Sequence, residues 1–144
     1  KLAAPYLGIK VEDQRGAIFS PPNSGVAPQG MSAEVFARLV SRLGIHTRAF
    51  LAEMPAAELT PVADTQVLLA ELRWACRHEQ VVHLDDLLLR RVRLGLLLPQ
   101  GGIDAMPSLD AILADELGWS AEQIAAERVR YSEIWQRYYY LPTA

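Results

Sequence analysis

Cysteine is almost missing from this 144-residue sequence: Cys76 stands alone, so no internal disulfide can form. One thiol suits a reducing, cytoplasmic compartment. Long apolar runs are missing as well. The leucine runs Leu87–Leu89 and Leu94–Leu98 are separated by arginines and fall far short of the roughly 20 residues that span a membrane. The chain opens on Lys1 with no methionine and no apolar signal segment, which suggests a piece cut from a longer protein. Excess positive charge is also absent. With 14 Lys and Arg against 17 Asp and Glu, the net charge is −3, which argues against a nucleic-acid binder and gives no pull toward anionic lipid. No G-x-G-x-x-G or G-x-x-x-x-G-K-[ST] is present to cradle phosphate, and G-x-S-x-G, H-E-x-x-H and C-x-x-C are absent too. Any catalytic reading therefore rests on scattered residues.

What is present is the material of one globular domain: 51% hydrophobic and 22% charged residues support a core rather than disorder. Residues 1–30 stand apart. Pro5, Gly8, Gly16, Pro21, Pro22, Gly25, Pro28 and Gly30 interrupt them, so no long helix runs through. Ile9–Val11 and Ala17–Phe19 around Gly16 fit a short β-hairpin, and an extended arm ordered by a parent or partner fits equally. Residues 31–144 predict an all-α domain, a small bundle of about five to six helices. Ser32 caps a helix that Gly44 stops. A shorter helix covers about His46–Glu53. Asp64–His78 is apolar nearly all round and so central, with Leu84–Leu94 close behind it. Ser108 opens a helix ending at Gly118. Ser120 and Gln123 form an S-x-x-Q capping box for a last helix that carries Ile124, Tyr131, Trp135 and Tyr138 on one face.

Candidate chemistry is sparse. Cys76, His78 and His83 are the best metal set, but residues two apart on a helix point about 200° apart, so no metal site is expected. Cys76 among apolar neighbours is an inert thiol rather than a nucleophile. Asp85, Asp86, Asp115 and Glu116 come as adjacent pairs, which splay by about 100° and share no acid–base site. Asp85 and Asp86 suit a helix start. Of the arginines Arg90, Arg91 and Arg93, Arg91 falls in the apolar stripe Leu84, Leu87, Leu88, Val92, Leu94, where a guanidinium needs an acceptor. Glu79 on the preceding helix is the expected partner, giving a Glu79–Arg91 ion pair between the two helices. Asp86 and Arg90 form an i,i+4 pair. An anion site built from all three arginines is disfavoured, because their spacing scatters them around the helix. Trp135, Tyr138, Tyr139 and Tyr140 offer an interface, since three consecutive tyrosines cannot all face one core. No catalytic, cofactor-binding or metal-ligating residue is assigned.

Leu69-Ala70-Glu71-Leu72 through Glu79, then His83-Leu84-Asp85-Asp86-Leu87-Leu88-Leu89-Arg90-Arg91-Val92-Arg93-Leu94-Gly95, then Ile112–Trp119 with Glu122 and Tyr131, resemble a known family over about Arg38–Tyr131. It is the C-terminal domain of FAD-dependent (aerobic) glycerol-3-phosphate dehydrogenases, where the central motif usually reads T-L-x-D-x-L-x-R-R-T-R. His83 and Val92 replace its threonines, and residues 1–30 have no counterpart. The resemblance implies a parent enzyme that oxidises sn-glycerol 3-phosphate to dihydroxyacetone phosphate, with FAD passing electrons to quinone. That enzyme would lie in the cytoplasm, peripheral on the inner face of the membrane. It also implies an N-terminal FAD domain as the first partner, a role in homodimer contacts, and no cofactor in this segment. A free-standing helical protein-interaction module is the alternative. A helix-turn-helix DNA binder conflicts with the acidic charge.

Overall fold

Residues 25–140 are described by the computed structural model. Among them the architecture is all-α, as the periodicity predicts, with six α-helices: α1 (Ala33–Leu43), α2 (Thr47–Glu53), α3 (Leu69–His78), α4 (Leu94–Leu97), α5 (Leu109–Leu117) and α6 (Ala121–Tyr138). A π-helical turn, Asp86–Arg91, lies between α3 and α4. The one β contact among the described residues is an isolated bridge between Pro61 and Leu68. The hairpin expected around Gly16 lies outside the described residues.

Local chemistry explains most of the boundaries. Ser32 and Ser120 accept from the backbone N–H groups of Val35 and Gln123, satisfying donors that the first helical turn leaves open. Gly118 takes the left-handed conformation (φ 67°) that ends α5. Ser108 precedes α5, but its side chain makes no cap hydrogen bond. The helix expected from Asp64 starts only at Leu69. Val62 N–H donates to the Val67 carbonyl at 2.8 Å and the Thr65 hydroxyl to the Val62 carbonyl at 2.7 Å, so residues 62–67 form a closed turn instead.

Helix α3 is the hinge of the packing. One side, with Leu72, Ala75 and Cys76, enters the larger core, built with Leu84, Leu87, Leu88, Leu94, Leu109, Ile112, Leu113 and Tyr131. The other, with Ala70 and Trp74, meets Leu39, Leu43 and Phe50 of α1 and α2. The Trp74 ring sits edge-on to Phe50, with 5.7 Å between centroids. This two-sided burial is what a helix apolar nearly all round requires.

The segment expected as a regular helix over Leu84–Leu94 is not regular. Val92 N–H reaches back five residues to the Leu87 carbonyl at 3.0 Å. Arg93 then turns left-handed (φ 59°), and α4 restarts at Leu94. The expected apolar stripe is nevertheless buried in full. The wider turn moves Arg91 from the middle of that stripe to its half-buried edge.

Candidate functional site: buried ion pairs between helices

Three charged networks tie the helices together, and two of them are built around carboxylates that water barely reaches. Glu71, 1% exposed, lies on α3 facing α1. Arg38 grips it with both terminal nitrogens, and Arg42 Nη1 donates to Oε2 at 2.8 Å. Its Oε1 also accepts from Leu68 N–H at 2.8 Å, so the same side chain caps the start of α3. Arg42 then bridges to both oxygens of Glu79 at 3.0 and 3.2 Å.

The second network joins α3 to α5. Arg73 binds Glu58 through Nε and Nη2 and also reaches Glu116. Arg77 donates twice to Glu116, at 2.5 and 2.7 Å.

In the third, Asp85, 3% exposed, accepts from Arg90 and from Arg130 of α6, each at 2.5 Å. Glu127 of α6 accepts from Leu84 N–H and contacts His83 Nδ1, both at 2.9 Å. Asp86 accepts from Val82 N–H and His83 N–H. The Leu84 N–H at the start of this segment is thus capped by a carboxylate brought from α6, while Asp86 reaches back to the N–H groups before it. The expected Asp86–Arg90 pair is present at 2.6 Å.

These contacts set a pH dependence. Burial opposes the charge on Asp85, but Arg130 and Arg90 outweigh it and hold the carboxyl below its usual range. Arg77, then Arg73, do the same for Glu116 against its burial. Groups with lowered folded-state pKa values stabilise fully above their unfolded values of about 3.9 (Asp) and 4.3 (Glu). That contribution is lost as pH falls through and below this range. The midpoint of urea unfolding should therefore hold steady from pH 7 to about 5 and drop steeply below about 4. In an Asp85→Asn, Glu116→Gln double variant the acid drop should be shallower, and an unchanged drop would show that other groups cause it.

The expected Glu79–Arg91 ion pair is corrected by the structure. Arg91 does reach Glu79, but its Nε donates to the backbone carbonyl at 2.7 Å. The Glu79 carboxylate is turned toward Arg42 instead. The π-helical turn is the physical reason, because it brings Arg91 beside the exposed end carbonyl of α3 rather than across the helix face. Cys76, His78 and His83 go separate ways: Cys76 into the larger core, His78 onto the Trp74 ring at 4.0 Å, and His83 to Glu127. No cluster of metal-ligating side chains occurs among the described residues. Burial pushes the Cys76 thiol up to about 12, so at pH 8 the folded protein should react with a thiol reagent at least tenfold more slowly than the urea-unfolded chain. Equal rates would place Cys76 at the surface.

Near the end of α6, Tyr131 is fully buried and donates to the Gly101 carbonyl at 2.7 Å, and half-buried Trp135 donates to the Gly95 carbonyl at 2.9 Å. Tyr138, Tyr139 and Tyr140 are all exposed. Beside them runs a groove of about 810 Å³ between α6 and the turn Pro99–Ala105.

Residues 10–124 match the family described as the C-terminal domain of alpha-glycerophosphate oxidase. The chain belongs to this family. Among curated proteins, the glycerol-3-phosphate dehydrogenase of Mycobacterium leprae (strain TN) is 29% identical over 130 residues, 88% of this chain and 22% of that protein. Glycerol-3-phosphate dehydrogenase 2 of Mycobacterium tuberculosis (strain ATCC 25618 / H37Rv) is 32% identical over 74 residues, 51% of this chain and 13% of that protein. The chain thus spans about a fifth or less of the curated relatives it matches. No solved structure matches it. The family match starts at residue 10, inside the segment read as an arm.

The buried carboxylates were not legible in the sequence because all their arginine partners but Arg90, five residues from Asp85, lie 29–45 residues away. The one available signal was Glu71, the single acidic residue of α3, set between Ala70 and Leu72. The described residues do not fit FAD. No parallel strand feeds a helix among them, and the Gly101–Gly102 pair lies under Tyr131, Trp135 and Leu98 rather than opening a helix toward a phosphate.

Proposed function

We propose that this chain is the non-catalytic C-terminal domain of an FAD-dependent glycerol-3-phosphate dehydrogenase. Its parent oxidises sn-glycerol 3-phosphate to dihydroxyacetone phosphate and passes the electrons to quinone, working in the cytoplasm at the inner face of the membrane. The match over residues 10–124 carries this reading. The networks described above fit the role. Buried Glu71 and Asp85, and nearly buried Glu116, are fully engaged by arginines. An acid or base for catalysis needs a free position near substrate, whereas these groups fix helix against helix. No helix of the described residues is long and apolar enough to cross a membrane, which is compatible with peripheral attachment through the parent.

The test is made on the complete gene product. Purified, it should be yellow, its flavin should bleach on adding sn-glycerol 3-phosphate without oxygen, and a soluble quinone should restore the colour. A colourless product, or a flavin that sn-glycerol 3-phosphate leaves oxidised, would overturn the proposal.

A further inference from the structure

The groove beside α6 is a built surface. Tyr131 and Trp135 pin the backbone of Gly101 and Gly95, which holds the turn Pro99–Ala105 against α6. The ring of Trp135 meets that of Tyr140 edge-on at 6.1 Å. Apolar surface is left open along it: Val129 is 61% exposed and Tyr140 52%. Its charge is one-sided. Arg128, the one basic residue lining it, is engaged by Asp110 at 2.6 and 2.9 Å. Asp104 and Glu133 are exposed, with no basic partner among the described residues. Aromatic and aliphatic walls flanked by two carboxylates suit a chain segment with apolar side chains next to lysine or arginine.

This chain has little of that to spare: its only lysines are Lys1 and Lys10, and seven of its twelve arginines are already ion-paired within the domain. Most of each curated relative, by contrast, lies outside the matched segment, which is only 22% of one and 13% of another. We infer that the α6 groove is the seat of a basic, partly apolar segment from the N-terminal part of the parent chain, with Val129 and Tyr140 as the apolar contacts and Asp104 and Glu133 as the charged ones. The inference rests on the reading of this chain as the C-terminal domain of a longer enzyme.

The experiment uses the full-length protein. Single cysteines are introduced at Val129→Cys and, as a control, at Ile45→Cys, which is 76% exposed and far along the chain from the groove. Both are surface positions, so neither should disturb folding. The Val129→Cys thiol should react at least tenfold more slowly than the Ile45→Cys thiol, at any protein concentration. Adding Asp104→Lys and Glu133→Lys should raise the Val129→Cys rate toward that of the control. A carbodiimide, which joins a carboxylate to an amine with loss of water, should link Asp104 or Glu133 to a lysine outside residues 1–144. Equal labelling rates overturn the inference. So does protection that disappears on dilution, which marks a second copy, or a cross-link to Lys1 or Lys10, which marks this chain's own N-terminal segment. Flavin colour and substrate oxidation are read on the same preparation. Free labelling in a yellow, active protein defeats the groove alone, while protection in a colourless protein supports the groove and defeats the flavoenzyme reading.

Discussion

Replacing Glu71 with alanine is expected to cost the domain about 3 kcal/mol or more of stability, measured as a shift in the urea unfolding midpoint. Removing one partner of a buried ion pair typically costs about 3–5 kcal/mol, because the remaining charge is left unpaired. Here the low end applies to the charge alone: the Arg38 and Arg42 side chains keep 25% and 21% exposure, and Arg42 retains Glu79. Loss of the cap on Leu68 N–H adds about 1 kcal/mol. Glu71→Gln should cost less, since an amide oxygen can still accept from Leu68 N–H while the charge is gone. A companion variant separates network from packing. Arg38 Nε is already buried without a partner, so Glu71→Leu combined with Arg38→Leu should be less damaging than Glu71→Leu alone. A Glu71→Ala cost below about 1 kcal/mol would mean that the pair contributes like an ordinary surface salt bridge.

That network marks the boundary of what the sequence makes legible. Helix ends governed by one residue and its near neighbours are readable. Ser32 and Ser120 cap and Gly118 terminates as expected, because each satisfies backbone groups three or four positions away. The two-sided burial of α3 follows from its composition. The π-helical turn is different. A regular helix satisfies the same apolar pattern over Leu84–Leu94, and what selects the wider turn is tertiary: Glu127 and Arg130 of α6 seize the Leu84 N–H and the Asp85 carboxylate more than 40 residues away. Arg91 therefore ended beside the Glu79 carbonyl and not its carboxylate. Asp85 was readable as a helix-start residue, but its burial against Arg130 of α6 was not, since pairing across helices leaves no periodic trace. The aromatic end divides the same way. Tyr131 and Trp135 lie on the core side that their spacing predicts, while the glycine backbone they clamp is visible only in three dimensions.

The glycine clamp yields a prediction whose sign distinguishes packing from propensity. Gly95 lies inside α4, where glycine to alanine ordinarily stabilises by up to about 1 kcal/mol through reduced backbone freedom. A Cβ on Gly95, however, would sit 2.3 Å from Tyr131 Oη, 2.8 Å from Leu89 Cδ2 and 3.2 Å from the Leu88 carbonyl oxygen. Leu89 can move its methyl aside. The Tyr131 hydroxyl cannot, because its ring is fully buried and its proton is held by the Gly101 carbonyl. Overpacking of this kind costs about 1–3 kcal/mol, so Gly95→Ala should destabilise by roughly 2–3 kcal/mol, overriding the propensity gain. Tyr131→Phe should cost about 1–1.5 kcal/mol by orphaning the Gly101 carbonyl. The two changes should not add. With the hydroxyl gone the closest clash disappears, and Gly95→Ala in the Tyr131→Phe background should cost only about 1 kcal/mol, a coupling of 1 kcal/mol or more between neighbours in contact. Strict additivity in that double-mutant cycle would place the strain elsewhere, and a stabilising Gly95→Ala would mean that α6 does not press on this backbone at all. Because Trp135 holds the carbonyl of the same residue, the cycle also measures how firmly the wall of the α6 groove is set.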